Sequence, residues 1–186
     1  MPETTSRAAV FAALAQGLDL DRVRARFRLS LEELQDLFQE AAQRYSELEE
    51  GIWSLYCDGA SRGNPGPAGA GALLLNPQGE STAEAGEYLG ETTNNVAEYR
   101  ALLLGLQKAR DLGVRRLRVF ADSELLVRQL NGSYRVKAAH LLPLWQAAQQ
   151  ELRQFKTFAV SHVPREANSR ADQLANRAID RKGPTE

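Results

Sequence analysis

The feature that most constrains this chain is a change of hydrophobic period at Gly51. Residues 5–48 contain no Pro, and their apolar side chains recur at helical spacing. Beyond Gly51 the apolar residues gather into short runs bounded by Gly, Pro, Asn and Asp, the pattern of strands alternating with helices. A chain of 186 residues that carries both patterns in succession divides into a small helical unit, residues 1–50, and one ordinary domain, residues 51–186.

In the first unit the spacing predicts helices over 6–16, 19–27 and 31–48, with Gly17 at the first junction. Asp19 and Ser30 stand at N-cap positions, and Ser30 with Glu33 forms a capping box. The hydrophilic stretch 47–51 reads as a linker. In the second unit, strands are predicted over 52–57, 70–76 and 80–89, the last two joined by the turn Asn76-Pro77-Gln78-Gly79. A long helix follows over 95–112, its face marked by Ala97, Ala101, Leu104 and Lys108 and its end by Gly113. Then come a strand over 117–121, helices over 123–130 and 141–155, a strand over 157–161 and a closing helix over 168–179. Three strands in succession, then helices alternating with strands, imply an α/β fold with a mixed five-stranded sheet flanked by helices.

Composition excludes several classes. The 43% hydrophobic content excludes disorder throughout. The longest apolar runs fall far short of the roughly 20 residues that a membrane span needs. With no signal-peptide pattern at the N-terminus, the expectation is a cytoplasmic protein with no membrane partner. The single cysteine, Cys57, excludes an internal disulfide, and two histidines, His140 and His162, make a Cys/His zinc site implausible. Any metal must be held by oxygen. Residues 1–50 carry six Arg against ten Asp/Glu, whereas residues 51–186 carry 17 Lys/Arg against 14 Asp/Glu. The larger unit is thus mildly basic, which permits a polyanionic partner without demanding one.

Four acids separate from the rest by position. Asp58 and Asp122 close predicted strands, and Glu98 and Asp172 lie near the starts of predicted helices. Singly, each also fits a turn, a cap or a first-turn acid favoured by the helix dipole. Together, at neighbouring strand ends, they would repel and raise one another's pKa unless a cation offset them. Mg²⁺ suits a site of few carboxylates completed by water and phosphate oxygens, and the pattern points to metal-assisted phosphoryl transfer.

Four blocks in order carry a family resemblance. Tyr56-Cys57-Asp58-Gly59-Ala60-Ser61 runs into Gly63-Asn64-Pro65-Gly66-Pro67; Thr93-Asn94-Asn95-Val96-Ala97-Glu98 follows, then Phe120-Ala121-Asp122-Ser123, then His162-Val163-Pro164-Arg165-Glu166-Ala167-Asn168 leading to Ala171-Asp172. Over about residues 52–180 the chain resembles type 1 ribonuclease H. The resemblance implies a ribonuclease H-like fold and an endonuclease that cuts the RNA strand of an RNA–DNA hybrid, leaving 5′-phosphate and 3′-hydroxyl ends. It further implies two Mg²⁺ ions, with Mn²⁺ as a substitute. Asp58 would bridge both ions, Glu98 and Asp122 would complete one site, and Asp172 would help to hold the other. His162, in the loop after the last strand, would assist proton transfer or product release. Gly59, Gly63 and Gly66 would let the backbone approach a ligand. Asn64, Thr93, Asn94 and Asn95 would meet the minor groove, where 2′-hydroxyls distinguish RNA from DNA.

The chain departs from the family in three places. The basic, tryptophan-rich insertion of some members is reduced to residues 132–139, with Arg135 and Lys137 its only cations. Glu124 stands where many members have Gln. In place of the family's aromatic, basic hybrid-binding module stands the acidic helical unit. Residues 19–42 have the proportions of a helix-turn-helix, yet Glu32, Glu33, Asp36 and Glu40 on the would-be recognition helix would repel DNA phosphates. A protein partner or self-association through residues 1–50 fits that surface better. Two alternatives stay open: a weakly active or regulatory nucleic-acid-binding protein, and an enzyme that also acts on double-stranded RNA.

Overall fold

A computed structural model describes residues 7–49 and 51–184, and the chain separates into two compact units, Met1–Glu50 and Gly51–Glu186. The first holds α1 (Arg7–Ala15), α2 (Leu20–Phe27) and α3 (Leu31–Glu49). Val10, Ala13, Val23 and Leu34 form its small core, with Leu14, Leu18, Phe27, Leu29 and Leu37 packed around them. The caps stand where the sequence puts them. Asp19 Oδ1 accepts from the Arg22 N–H at 2.8 Å, the Glu33 N–H donates to Ser30 Oγ at 3.1 Å, and the Ser30 N–H donates to Glu33 Oε2 at 2.8 Å. Ser6 and Glu50 lie outside the described residues. The expected linker is shorter than its composition suggests: α3 continues through Glu49, because Glu and Leu are good helix formers and no breaker precedes Gly51.

The second unit is a five-stranded mixed sheet of order β3-β2-β1-β4-β5. Its strands are β1 (Trp53–Ser61), β2 (Gly66–Leu75), β3 (Ser81–Thr92), β4 (Arg116–Ala121) and β5 (Thr157–His162). β1, β2 and β3 form an antiparallel meander, and β4 and β5 add in parallel. The helices are α4 (Asn94–Asp111), α5 (Glu124–Leu130), α6 (Leu142–Leu152) and α7 (Ser169–Arg181). Leu55, Ala70, Ala72 and Leu74 join Tyr99, Leu102 and Leu106 of α4 and Leu152 of α6 in the main core. The buried stripe of α4 runs through Ala101, Leu102, Gly105, Leu106 and Ala109, displaced from the expected face at Leu104 and Lys108. Among the described residues no helix is long and apolar enough to cross a membrane.

The Gly/Pro-rich segment after Asp58 is mostly strand. β1 extends to Ser61 and β2 starts at Gly66, with Ser61 opposite Ala68, so the turn shrinks to 62–65. The reason lies in α7. A Cβ on Gly71 would come within 2.2 Å of the Ala171 carbonyl oxygen, so glycine there lets the helix backbone lie directly on β2. Close helix–sheet packing, and the ladder it rests on, overrides local turn propensity.

Candidate active site

Parallel register sets the first two acids side by side. β1 and β4 pair through Tyr56↔Phe120, whose rings stack 4.9 Å apart, and Asp58 and Asp122 each lie two residues beyond that pair. With a side-chain period of two, both acids fall on the same face as the stacked rings. Ser123 Oγ accepts from the Leu126 N–H and caps α5, so Asp122 itself is free of the capping role that its position suggests.

Glu98 reaches the same point from α4. A Cβ on Gly59 would lie 2.2 Å from the Glu98 nitrogen, so the bare glycine lets the first turn of α4 rest on β1. Gly59 thus serves helix packing within a strand, where the sequence suggests a turn. Oxygens of Asp58, Glu98 and Asp122 lie within 4.8 Å of one another.

Asp58 and Glu98 are only 5% and 6% exposed. Burial, then the charges of Glu98 and Asp122, push the Asp58 carboxyl up to about 9. Burial, then Asp122, push Glu98 up to about 8, against the opposing pull of the Gly59 N–H, the Asn94 amide and Arg165. Glu98 Oε2 is buried with no hydrogen-bond partner among the described residues. An all-oxygen donor set with an orphaned carboxylate oxygen fits a hard divalent cation.

The expected cluster of four acids is three plus one. Asp172, in the first turn of α7, lines the same cleft of about 310 Å³, but its Oδ1 is drawn to Arg165 Nη2 at 3.0 Å and it stands outside the close triad. His162 is also placed differently. It is the last residue of β5, opposite Ala121, rather than in the following loop; its Nε2 lies 3.2 Å from the Asp122 carbonyl oxygen, and it does not line the cleft.

The residues expected to meet substrate surround the start of α4. Asn64 Oδ1 accepts the Asn94 N–H at 3.2 Å, which ties the β1–β2 turn to the helix N-terminus. Thr93 Oγ1 caps the helix by accepting from Val96 N–H, the Asn94 amide lies 3.5 Å from Glu98 Oε1, and Asn95 is exposed. Glu124 is paired with Arg128 at 2.7 Å, so its added charge has a local counterion. Two residues carry more than their place in a motif suggested. Arg165 is the one cation among the residues lining the cleft, its pKa raised by the hydrogen bond and charge of Asp172 and by Asp58 and Asp122. Asn168 is 1% exposed and donates to Asp122 Oδ1 at 3.1 Å. The only signal for either was its presence between the last strand and the last acid.

Residues 56–178 match the family described as reverse transcriptase-like. The chain is 43% identical over 125 residues to ribonuclease HI of Halobacterium salinarum, a match spanning 67% of this chain and 63% of that protein. The crystal structure of RNase H1 from the same archaeon superposes with a TM-score of 0.69 at 42% identity, covering 70% of this chain and 99% of that one. The chain belongs to the type 1 ribonuclease H family. Within it, a bifunctional protein of Mycobacterium tuberculosis is 46% identical over 124 residues, which are 66% of this chain and 34% of that protein. The present chain therefore spans less than two thirds of the length of these curated relatives. LC11-RNase H1, isolated from compost, has been crystallised with an RNA/DNA hybrid; it is 40% identical with a TM-score of 0.66, covering 70% of this chain and 98% of that one. The match to these type 1 ribonuclease H structures leaves the N-terminal helical unit unaccounted for, since it covers about the length of the sheet-bearing unit alone.

Proposed function

We propose that this protein hydrolyses the RNA strand of RNA–DNA hybrids, leaving 5′-phosphate and 3′-hydroxyl ends. The observation that carries the reading is the close triad Asp58, Glu98 and Asp122 at adjoining strand and helix ends, the first two buried and Asp122 half-buried. Membership of the family and the hybrid held by LC11-RNase H1 support the substrate class. Asp58, Glu98 and Asp122, with Asp172 beside them, would hold two Mg²⁺ ions, for which Mn²⁺ would substitute. When bound, such ions activate a water and stabilise the leaving oxygen of an in-line displacement.

The chain's own residues then bind and orient. Arg165, exposed at the cleft mouth beside Asp172, offers a guanidinium to a phosphate. Asn64, Asn94 and Asn95, with Thr93, present amides and a hydroxyl to the minor groove, and Gly59 keeps α4 close enough to hold them over the acids. His162, beside the Asp122 backbone, relays a proton at the cleft's edge through its imidazole. Residues 51–186 are the catalytic domain and residues 1–50 an accessory that contacts a protein or a second copy. The site of action is cytoplasmic.

Cleavage of matched RNA–DNA, RNA–RNA and DNA–DNA duplexes with Mg²⁺ and with Mn²⁺ tests the reading. Metal-dependent cutting of the RNA strand in the hybrid is the expected result. Binding without cutting would identify a regulatory protein, and equal cutting of RNA–RNA a broader enzyme.

A further inference from the structure

Asn168 closes the short turn before α7 with almost no exposure. Nδ2 donates to the Cys57 carbonyl at 3.0 Å and to Asp122 Oδ1 at 3.1 Å, while Oδ1 is buried without a hydrogen-bond partner among the described residues. The Cys57 carbonyl and the Asp122 carboxylate both take a hydrogen bond from this amide, and an apolar side chain of the same size would leave them without that donor. The amide spans a gap that backbone pairing does not cover. The β1–β4 ladder ends at Tyr56↔Phe120, and Asn168 joins the next carbonyl of β1, adjacent to Asp58, to the carboxylate just beyond β4. Asp122 is only half-buried, and its Oδ1 is tied back toward β1 by the Asn168 amide.

We propose that Asn168 is a positioning residue for the metal-binding triad, holding the Asp122 carboxylate toward Asp58 and Glu98 through its Nδ2 hydrogens. The inference rests on the reading of this cleft as a divalent-cation site. Groups that orient metal ligands typically change metal affinity or activity by about 10- to 100-fold when removed. Asn168→Leu keeps the bulk and removes the donors; Asn168→Ala removes them with a smaller side chain and is used for the same measurements if the leucine variant does not fold. Calorimetric titration of the full chain with Mg²⁺ and with Mn²⁺ is expected to show affinity weakened about 10- to 100-fold. Hybrid cleavage is expected to show a lower kcat with KM within about twofold of wild type. A merely structural residue would lower the melting temperature in chelator and leave the metal affinity of the folded protein intact. Metal affinity within twofold of wild type in a folded variant overturns the assignment. A wild-type protein that binds neither ion overturns the proposed function, and this inference with it.

Discussion

Replacing Asp58 by Asn tests the electrostatics of the cleft apart from catalysis. In the metal-free protein the Asp58 carboxyl is pushed up to about 9 from an ordinary value of 3.8. Between these values the folded state keeps a proton that the unfolded state has released, so stability falls as pH rises. The loss begins near pH 4, runs at about 1.4 kcal/mol per pH unit and ends near pH 9. From pH 5 to pH 8 it amounts to about 4 kcal/mol, equivalent to roughly 10 °C in melting temperature for a protein of this size. Glu98, pushed up to about 8 by burial and Asp122, adds a slope of the same sign, and because the charges of Asp58 and Glu98 act on each other, part of that slope changes with Asp58. The difference between Asp58→Asn and wild type therefore reports Asp58 together with its coupling to Glu98. Urea unfolding of both proteins in chelator, at intervals from pH 5 to pH 8, should show the variant gaining on wild type by about 4 kcal/mol across the range. Saturating Mg²⁺ should narrow the difference by stabilising wild type alone, and the variant should lose cleavage. A stability difference that stays constant with pH would refute the account of Asp58 as a carboxyl held neutral by burial and its neighbours.

Gly59→Ala should destabilise the protein by about 1–3 kcal/mol or more, because its Cβ would meet the Glu98 backbone at 2.2 Å, and cleavage should fall with it; unchanged melting and turnover would show that α4 has room to move. His162→Ala should slow turnover without abolishing it, since solvent partly replaces a proton relay, and equal rates for both proteins from pH 6 to pH 9 would make the residue a bystander. Residues 51–186 alone should fold and cleave. Because six Arg and ten acids are removed, hybrid binding at low salt should hold steady or tighten, with the change fading as salt rises. A large salt-dependent loss of affinity would instead place Arg22, Arg24, Arg26 and Arg28 on the nucleic acid.

The sequence by itself determined the two-part division at Gly51, the type of nearly every element and the caps of the first unit, because these follow from local periodicity and from side chains that bond within a few residues. The four motif blocks likewise made the acids and the family legible before any coordinates. Tertiary structure alone decided which groups meet. Parallel register set Asp58 beside Asp122, and the fold left Asp172 paired with Arg165 outside the close triad. Gly59, read as a turn residue, proved to be a point of contact under α4, and Gly71, within a predicted strand, is one under α7, because a missing Cβ signals equally a bend and the approach of another backbone. Asn168 was the least legible of all. Its amide joins Cys57 to Asp122 across 111 and 46 residues, and no local pattern encodes partners that only folding brings together.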